Sequence, residues 1–261
     1  MLGWYARARR DLPWRRTREP YAVLVSEVML QQTQAARVAP RYAAFLALFP
    51  SARALAAAPV ADVIRAWSGL GYNRRALALR AACAEVARAG WPASAAELER
   101  LPGVGPYTAA AVASFAWDEP VAAVDTNVRR VIERWDGVRR GPAALRRRAA
   151  ELVPRGRAAD WNQALIELGA TVCVARRPRC DACPALGCAS RGRPPAPAHG
   201  SRGASVPFEA TDRHLRGRVV AALAAGEPFP VEPDAARLSR VLGGLQRDGL
   251  VVLGSDGPRL P

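Results

Sequence analysis

The chain has 261 residues, half of them apolar, with 38 basic against 23 acidic side chains and a formal charge of +15. That is enough chain for a sizeable core and two or three structural units, and no stretch reaches the ~18 consecutive apolar residues of a membrane span. Every one of the 38 cations is arginine, so no side-chain amine exists to form a Schiff base.

The positive excess suits a polyanionic partner, most simply nucleic acid. The basic start "MLGWYARARRDLPWRR" lacks the apolar region of a signal peptide, and a cytoplasmic protein is the expectation. The first strong helical pattern is "PYAVLVSEVMLQQTQ" (20–34). It places an acid, Glu27, on an apolar stripe, because three of its neighbours at helical spacing are Val23, Leu24 and Leu30. Burial disfavours a carboxylate and pushes its pKa upward, so such an acid is either paired with a cation or held ready to give up a proton.

Residues 61–90 read as two helices broken at Gly69-Leu70-Gly71, and 94–117 as helix, tight turn, helix. The turn, "LPGVGPYTAAAV" (101–112), sets two glycines two apart before a helix, where amides converging at a helix N-terminus could hold a phosphate. "VDTNV" (124–128) puts Asp125 at an N-cap position. Helices follow over 126–135, 141–153 and 160–173, with Pro20, Pro40, Pro50, Pro59, Pro92, Pro102, Pro120 and Pro154 marking boundaries. Few strands are convincing before residue 190, so the main body is predicted to be all-α.

Four of the five cysteines fall in "CVARRPRCDACPALGC", with six, two and four residues between Cys173, Cys180, Cys183 and Cys188. Clustered thiols in a reducing compartment point to metal rather than disulfides. A single close pair fits an iron–sulfur cluster at least as well as zinc, and spacing leaves both open. Cys83, alone on an Ala-rich helix, reads as a small buried apolar residue. After Cys188, residues 189–207 read as a Pro/Gly/Ser/Arg linker. Helices over 213–226 and 235–250 and a hairpin turning at Gly254-Ser255-Asp256-Gly257 then give the order of a winged helix.

Taken together, "LPWR" (12–15), "PYAVLVSEVMLQQTQ" (20–34), "GLGYNRRA" (69–76), "LPGVGPYTA" (101–109), "VDTNV", "NQALIELGA" (162–170) and the cysteine cluster resemble the adenine DNA glycosylases of the MutY type, in the endonuclease III superfamily. The resemblance covers about residues 4–188 and implies a helix-hairpin-helix glycosylase domain over 1–188, in two helical subdomains. One is a six-helix barrel over about 22–125. The other, from 1–21 and 126–188, carries a [4Fe–4S] cluster on Cys173, Cys180, Cys183 and Cys188. A small winged-helix-like unit, 208–261, follows the 189–207 linker.

The implied activity is removal of adenine mispaired with 8-oxoguanine or guanine from double-stranded DNA, by a nucleoid-associated cytoplasmic monomer. The resemblance makes Glu27 the proton donor to N7 of the flipped adenine. Asp125 stabilises the oxocarbenium-like sugar, by charge or a transient covalent bond, and Tyr107 and Asn127 orient both. Gln31, Gln32 and Tyr72 match wedge residues that fill the vacated stack, and Leu101, Gly103, Val104, Gly105 and Thr108 form the DNA-holding hairpin. Bifunctional members of the superfamily have a lysine where Tyr107 stands, so a monofunctional enzyme without strand cleavage is expected. The last cysteine interval is four where the family usually shows five. The roughly seventy residues after Cys188 are too few for the Nudix-like domain that many members carry. A thymine or uracil glycosylase on the same scaffold, or a non-catalytic DNA-binding metalloprotein, are the competing readings.

Overall fold

The computed structural model describes residues 1–192, 206–228, 232–255 and 257–261. They form thirteen α-helices and one two-stranded sheet, and none of the helices is long and apolar enough to cross a membrane. The chain divides into two compact units.

The first comprises Met1–Glu27, Pro92–Arg100 and Val104–Gly200. It contains α1 (Leu2–Ala8), a 3-10 turn at Pro13–Arg15 and most of α2 (Pro20–Leu30), then α7 (Ala95–Leu98), α8 (Pro106–Trp117), α9 (Thr126–Asp136), α10 (Pro142–Glu151) and α11 (Ala158–Thr171). Residues Thr108–Phe115 of α8 are all buried, and five of those eight are Ala or Val. A helix apolar all round belongs in the interior, and its small side chains let α7 and α11 pack close. Val128, Val131 and Ile132 of α9 meet Leu145 and Ala149 of α10 and Leu165 and Leu168 of α11 in a second core layer.

The second unit comprises Val28–Trp91, Leu101–Gly103 and Ser201–Pro261. It holds α3 (Ala35–Leu48), α4 (Ala52–Ala57), α5 (Val60–Trp67) and α6 (Arg74–Ala89), followed by α12 (Asp212–Ala225), α13 (Ala235–Arg247) and an antiparallel hairpin of β1 (Val252–Gly254) and β2 (Gly257–Arg259), with Gly254 opposite Gly257. The helix, helix, hairpin order matches the sequence expectation, and Asp256 of its turn lies outside the described residues, as do 193–205 of the expected linker. The apolar faces of α12 and α13 do not form a core alone. Leu215, Val219, Val220, Val241 and Leu245 pack with Ile64 of α5 and the partly buried Leu77 of α6.

Two sequence expectations require correction. Pro40 lies inside α3 rather than at a boundary. Proline in a helix interior normally leaves the carbonyl four residues earlier without a partner. Here both Pro40 and Ala36 are exposed, so water can satisfy that carbonyl. The second concerns α1, α3 and α4, three helices that the proline punctuation and short lengths hid from a periodicity reading.

Candidate active site

The first unit assembles four of the residues singled out from the sequence. Helix α2 is fixed at its start by Glu19, whose carboxylate accepts the backbone N–H groups of Tyr21 at 3.1 Å and Ala22 at 2.6 Å. That sets the register in which Tyr21–Met29 are all buried and Glu27 points inward with 5% of its surface exposed. Burial raises the Glu27 pKa to about 7; a hydrogen bond from the Tyr107 hydroxyl opposes the rise, the nearby Asp125 carboxylate adds to it, and Arg15 works against it. The Tyr107 phenol is itself pushed well up, by burial and then by the Glu27 and Asp125 charges, so it remains a donor.

Asp125 caps α9. Its Oδ1 accepts the Val128 N–H at 2.7 Å and its Oδ2 accepts Asn127 Nδ2 at 2.8 Å. The strand of chain leading to it is held by the buried Asn162 of α11, which accepts the Ala123 N–H at 3.0 Å and donates to the Val121 carbonyl at 2.8 Å and to Ser114 Oγ at 2.9 Å. Asn127 in turn accepts from Arg130 Nη2 at 2.8 Å. Arg130 also donates to the carbonyls of Gly169 at 2.6 Å and Cys173 at 2.8 Å, joining the cap to α11 and to the start of the cysteine loop. Gly169 is needed there: a Cβ would sit 2.6 Å from the Asn127 Cβ.

Sequence reasoning missed a second buried acid in this unit. Glu167 is fully buried on α11 and receives Arg10 through two hydrogen bonds of 2.8 and 2.9 Å and Arg15 through one of 2.7 Å. Burial raises its carboxyl, but the two guanidiniums outweigh burial, and its pKa lies below the usual range. The signal was present in "ALIELGA", where an acid interrupts an apolar helical run as Glu27 does. Arg15 therefore touches both acids' environments and belongs to the site.

The cysteine loop follows α11. Among the described residues no three His, Cys, Asp or Glu side chains are drawn together as a metal-binding group. The surroundings nonetheless suit thiolate ligands. The Arg134 guanidinium, on a residue 6% exposed, has no carboxylate partner among the described residues. It donates to the Val174 and Ala175 carbonyls at 2.8 Å each and to Cys173 Sγ at 3.5 Å. Arg191 braces the loop through the carbonyls of Cys180, Cys183 and Ala185 at 2.9, 3.0 and 3.1 Å. A buried cation without an anion, beside four clustered cysteines, fits a negatively charged thiolate centre.

In the second unit the predicted wedge residues lie on two strained loops. Gln32 has φ 53° and Tyr72 φ 48°, left-handed values that are unusual without glycine. Arg75 of α6 explains how they persist. Its guanidinium donates to the carbonyls of Val28 at 2.8 Å, Met29 at 3.0 Å, Leu70 at 3.2 Å and Gly71 at 3.0 Å, to Thr33 Oγ1 at 3.1 Å and to the Gln31 carbonyl. It also lies 5.4 Å from the centroids of both Trp67 and Tyr72. Burial lowers its pKa to about 10, so it stays charged at neutral pH. Of the expected hairpin residues, Leu101 and Gly103 fall in this unit and Val104, Gly105 and Thr108 in the first. Gly103 has φ +73°, and a Cβ there would meet Ala78 Cβ at 2.6 Å. Gly105 caps α8 in extended conformation with open space where a Cβ would stand.

Comparison with known proteins identifies the family and the fold. Residues 25–155 match the HhH-GPD superfamily base excision DNA repair protein family. The chain is 44% identical over 98% of its length to adenine DNA glycosylase of Mycobacterium tuberculosis, covering 90% of that protein. The human adenine DNA glycosylase is 42% identical over 70% of this chain and 37% of its own. Among solved structures, a thermostable thymine-DNA glycosylase superposes with a TM-score of 0.69 at 32% identity, over 74% of this chain and 93% of that one. A trapped endonuclease III–DNA covalent intermediate gives 0.63 at 26%, over 73% and 92%. The chain, mostly helical with a buried acid on α2 and a capping aspartate on α9, belongs to the HhH-GPD superfamily of base excision DNA repair proteins.

Proposed function

We infer that the chain is a monofunctional adenine DNA glycosylase, hydrolysing the N-glycosidic bond of adenine mispaired with 8-oxoguanine or guanine. The observation that carries this is Glu27, an acid whose pKa burial raises to about 7, beside an Asp125 held at a helix N-terminus. A buried acid that holds its proton, beside an aspartate that accepts N–H groups at a helix N-terminus, divides the labour between proton donor and charge stabiliser.

In the proposed reaction the Glu27 carboxyl gives its proton to adenine N7. The C1′–N9 bond then breaks, its electron pair leaving with the base. Positive charge develops on the sugar, and Asp125 stabilises it from its cap. Water adds to C1′ and returns a proton to Glu27, which restores the acid. Tyr107 donates to Glu27 and Asn127 donates to Asp125, fixing both carboxyls. Arg10, Arg15 and Glu167 supply a rigid cationic and anionic wall. With no lysine, no imine forms and the product is an abasic site.

Extrusion of a base costs a few kcal/mol of stacking and pairing. Gln31, Gln32 and Tyr72 offset that by entering the gap, and the strain at Gln32 and Tyr72 supports the assignment because Arg75 pre-sets their positions. Leu101, Gly103, Val104, Gly105 and Thr108 form the hairpin that grips the backbone, with the α8 N-terminus open above Gly105 to accept a phosphate. Cys173, Cys180, Cys183 and Cys188 would hold a [4Fe–4S] cluster, which when bound cross-links the loop and keeps Arg134 and Arg191 paired with negative charge.

The thymine-DNA glycosylase neighbour keeps a pyrimidine reading in view, but pyrimidines have no N7 for Glu27 to protonate. Base release measured on duplexes with adenine opposite 8-oxoguanine, guanine and cytosine, and with thymine opposite guanine, tests the reading. Adenine is expected to be released from the first two without strand cleavage. Release of thymine instead would overturn it.

A further inference from the structure

The ring of Tyr72 is met by a second guanidinium, from the C-terminal segment. Arg213, in the first turn of α12, lies 4.2 Å from the Tyr72 centroid, closer than Arg75 at 5.4 Å. The two arginines differ in kind. Arg75 is tied down by the carbonyls described above. Arg213 is exposed, and among the described residues no carboxylate pairs with it and no carbonyl accepts from it. The neighbouring Asp212 is engaged by Arg237 and Arg240 instead, at 3.1 and 3.6 Å.

Arg213 is nevertheless well placed. Thr211 caps α12, accepting the His214 N–H at 3.3 Å and donating to the Phe208 carbonyl at 2.6 Å, while Arg237 holds the Thr211 carbonyl at 2.9 Å. Leu215, Val219 and Val220 anchor the helix against Ile64. The Phe208 ring, 5.8 Å from the same guanidinium and 5.2 Å from the His214 ring, adds a second aromatic. Tyr72 and Phe208 remain 39% and 52% exposed. Two accessible aromatic rings bridged by an arginine without a counter-ion make a preformed stacking surface, the kind on which nucleobases settle.

We propose that Arg213 reads the base left opposite the extruded adenine. That base stacks on Tyr72 in place of the guanidinium, which moves aside into the plane of the base and donates to its edge. Arginine has only donors, arranged as a fork. Guanine offers O6 and N7 as adjacent acceptors for that fork; 8-oxoguanine carries a hydrogen on N7 and offers O6 or O8 singly, whereas cytosine presents an amino donor on that edge. Arg213 is thus a specificity residue supplied by a helix that is not part of any Nudix-like domain. The inference rests on the glycosylase reading above.

The test uses the full chain and duplexes carrying a cleavage-resistant 2′-fluoro-adenosine opposite guanine, 8-oxoguanine or an abasic tetrahydrofuran. Binding is measured for the wild type, Arg213→Ala and Arg213→Lys, with thermal unfolding of each protein as a folding control. Both substitutions are expected to weaken binding to the guanine duplex about tenfold, the discrimination of one bidentate contact, and the tetrahydrofuran duplex less than about twofold; Arg213→Ala is expected to weaken the 8-oxoguanine duplex by an intermediate factor, that of a single contact. Lysine keeps the charge but not the fork, so it separates base reading from phosphate attraction. Equal losses on all three duplexes, no loss on any, or full rescue by lysine on the guanine duplex would overturn the proposal. Adenine release by the wild type is measured in parallel. If it is absent, the glycosylase reading fails and takes this inference with it; if it is present while the duplex preference is unchanged in the variants, only this inference fails.

Discussion

Glu27 and Glu167 are both buried glutamates on apolar helix stripes, and they have opposite fates. Glu167 has two arginines and keeps its charge; Glu27 has a tyrosine hydroxyl and another carboxylate nearby, and holds its proton. The difference has a consequence for stability. Glu27 binds a proton more tightly when folded than its usual 4.5 allows, so its contribution is full below about 4.5 and is lost as pH rises through about 7. At pH 8 the ionised, buried carboxylate costs up to about 3 kcal/mol, from 1.36 kcal/mol per pH unit. Glu27→Gln, which removes that charge, is therefore expected to unfold at a higher temperature than wild type at pH 8, with the gap closing at pH 5. An equal gap at both pH values would contradict the assignment. The sequence made Glu27 legible because its neighbours are apolar. Glu167 carries the same apolar signal; what the sequence hid was its pairing, because Arg10 and Arg15 are distant in the chain.

At the scale of elements, the cysteine loop and the helices depend on different forces. Helices α9, α10 and α11 share an apolar layer of Val128, Ile132, Leu145 and Leu165. The loop that follows has one 3-10 turn, Cys180–Ala182, and is tied down chiefly by arginine-to-carbonyl bonds. Cys183→Ser is thus expected to abolish the visible absorption of an iron–sulfur chromophore and open the segment 174–191 to trypsin, while far-UV circular dichroism stays close to wild type. Retained absorption and retained resistance would contradict a ligand role. Helix α8 showed itself as an unbroken run of small and apolar residues after Gly105-Pro106, and periodicity found α5 and α9 because their apolar faces repeat cleanly. It missed α3, where Pro40 reads as punctuation although its exposed face tolerates the missing bond.

For the molecule as a whole, an all-arginine cationic complement and the lack of lysine bear on different steps. The charge draws a polyanion; the missing amine ends the reaction at base release. The all-α main body and the helix–helix–hairpin tail were legible from pattern alone where apolar spacing, proline and glycine mark the elements, and α9, α12 and α13 add side-chain caps from Asp125, Thr211 and Asp234. What pattern could not supply was tertiary: that Arg75 pins two left-handed residues, that Arg130 joins Asn127 to Cys173, and that α12 shares a core with α5. These contacts link residues dozens of positions apart and leave no periodic trace. The account stands on the proton held by Glu27, and its most direct test is the single-turnover rate of adenine release from an adenine–8-oxoguanine duplex between about pH 5 and pH 9. The rate is expected to fall about tenfold per pH unit above about 7, and to be lost in Glu27→Gln at every pH. A rate that stays flat up to the alkaline limit, or a Glu27→Gln protein that releases adenine as fast as wild type, would contradict it.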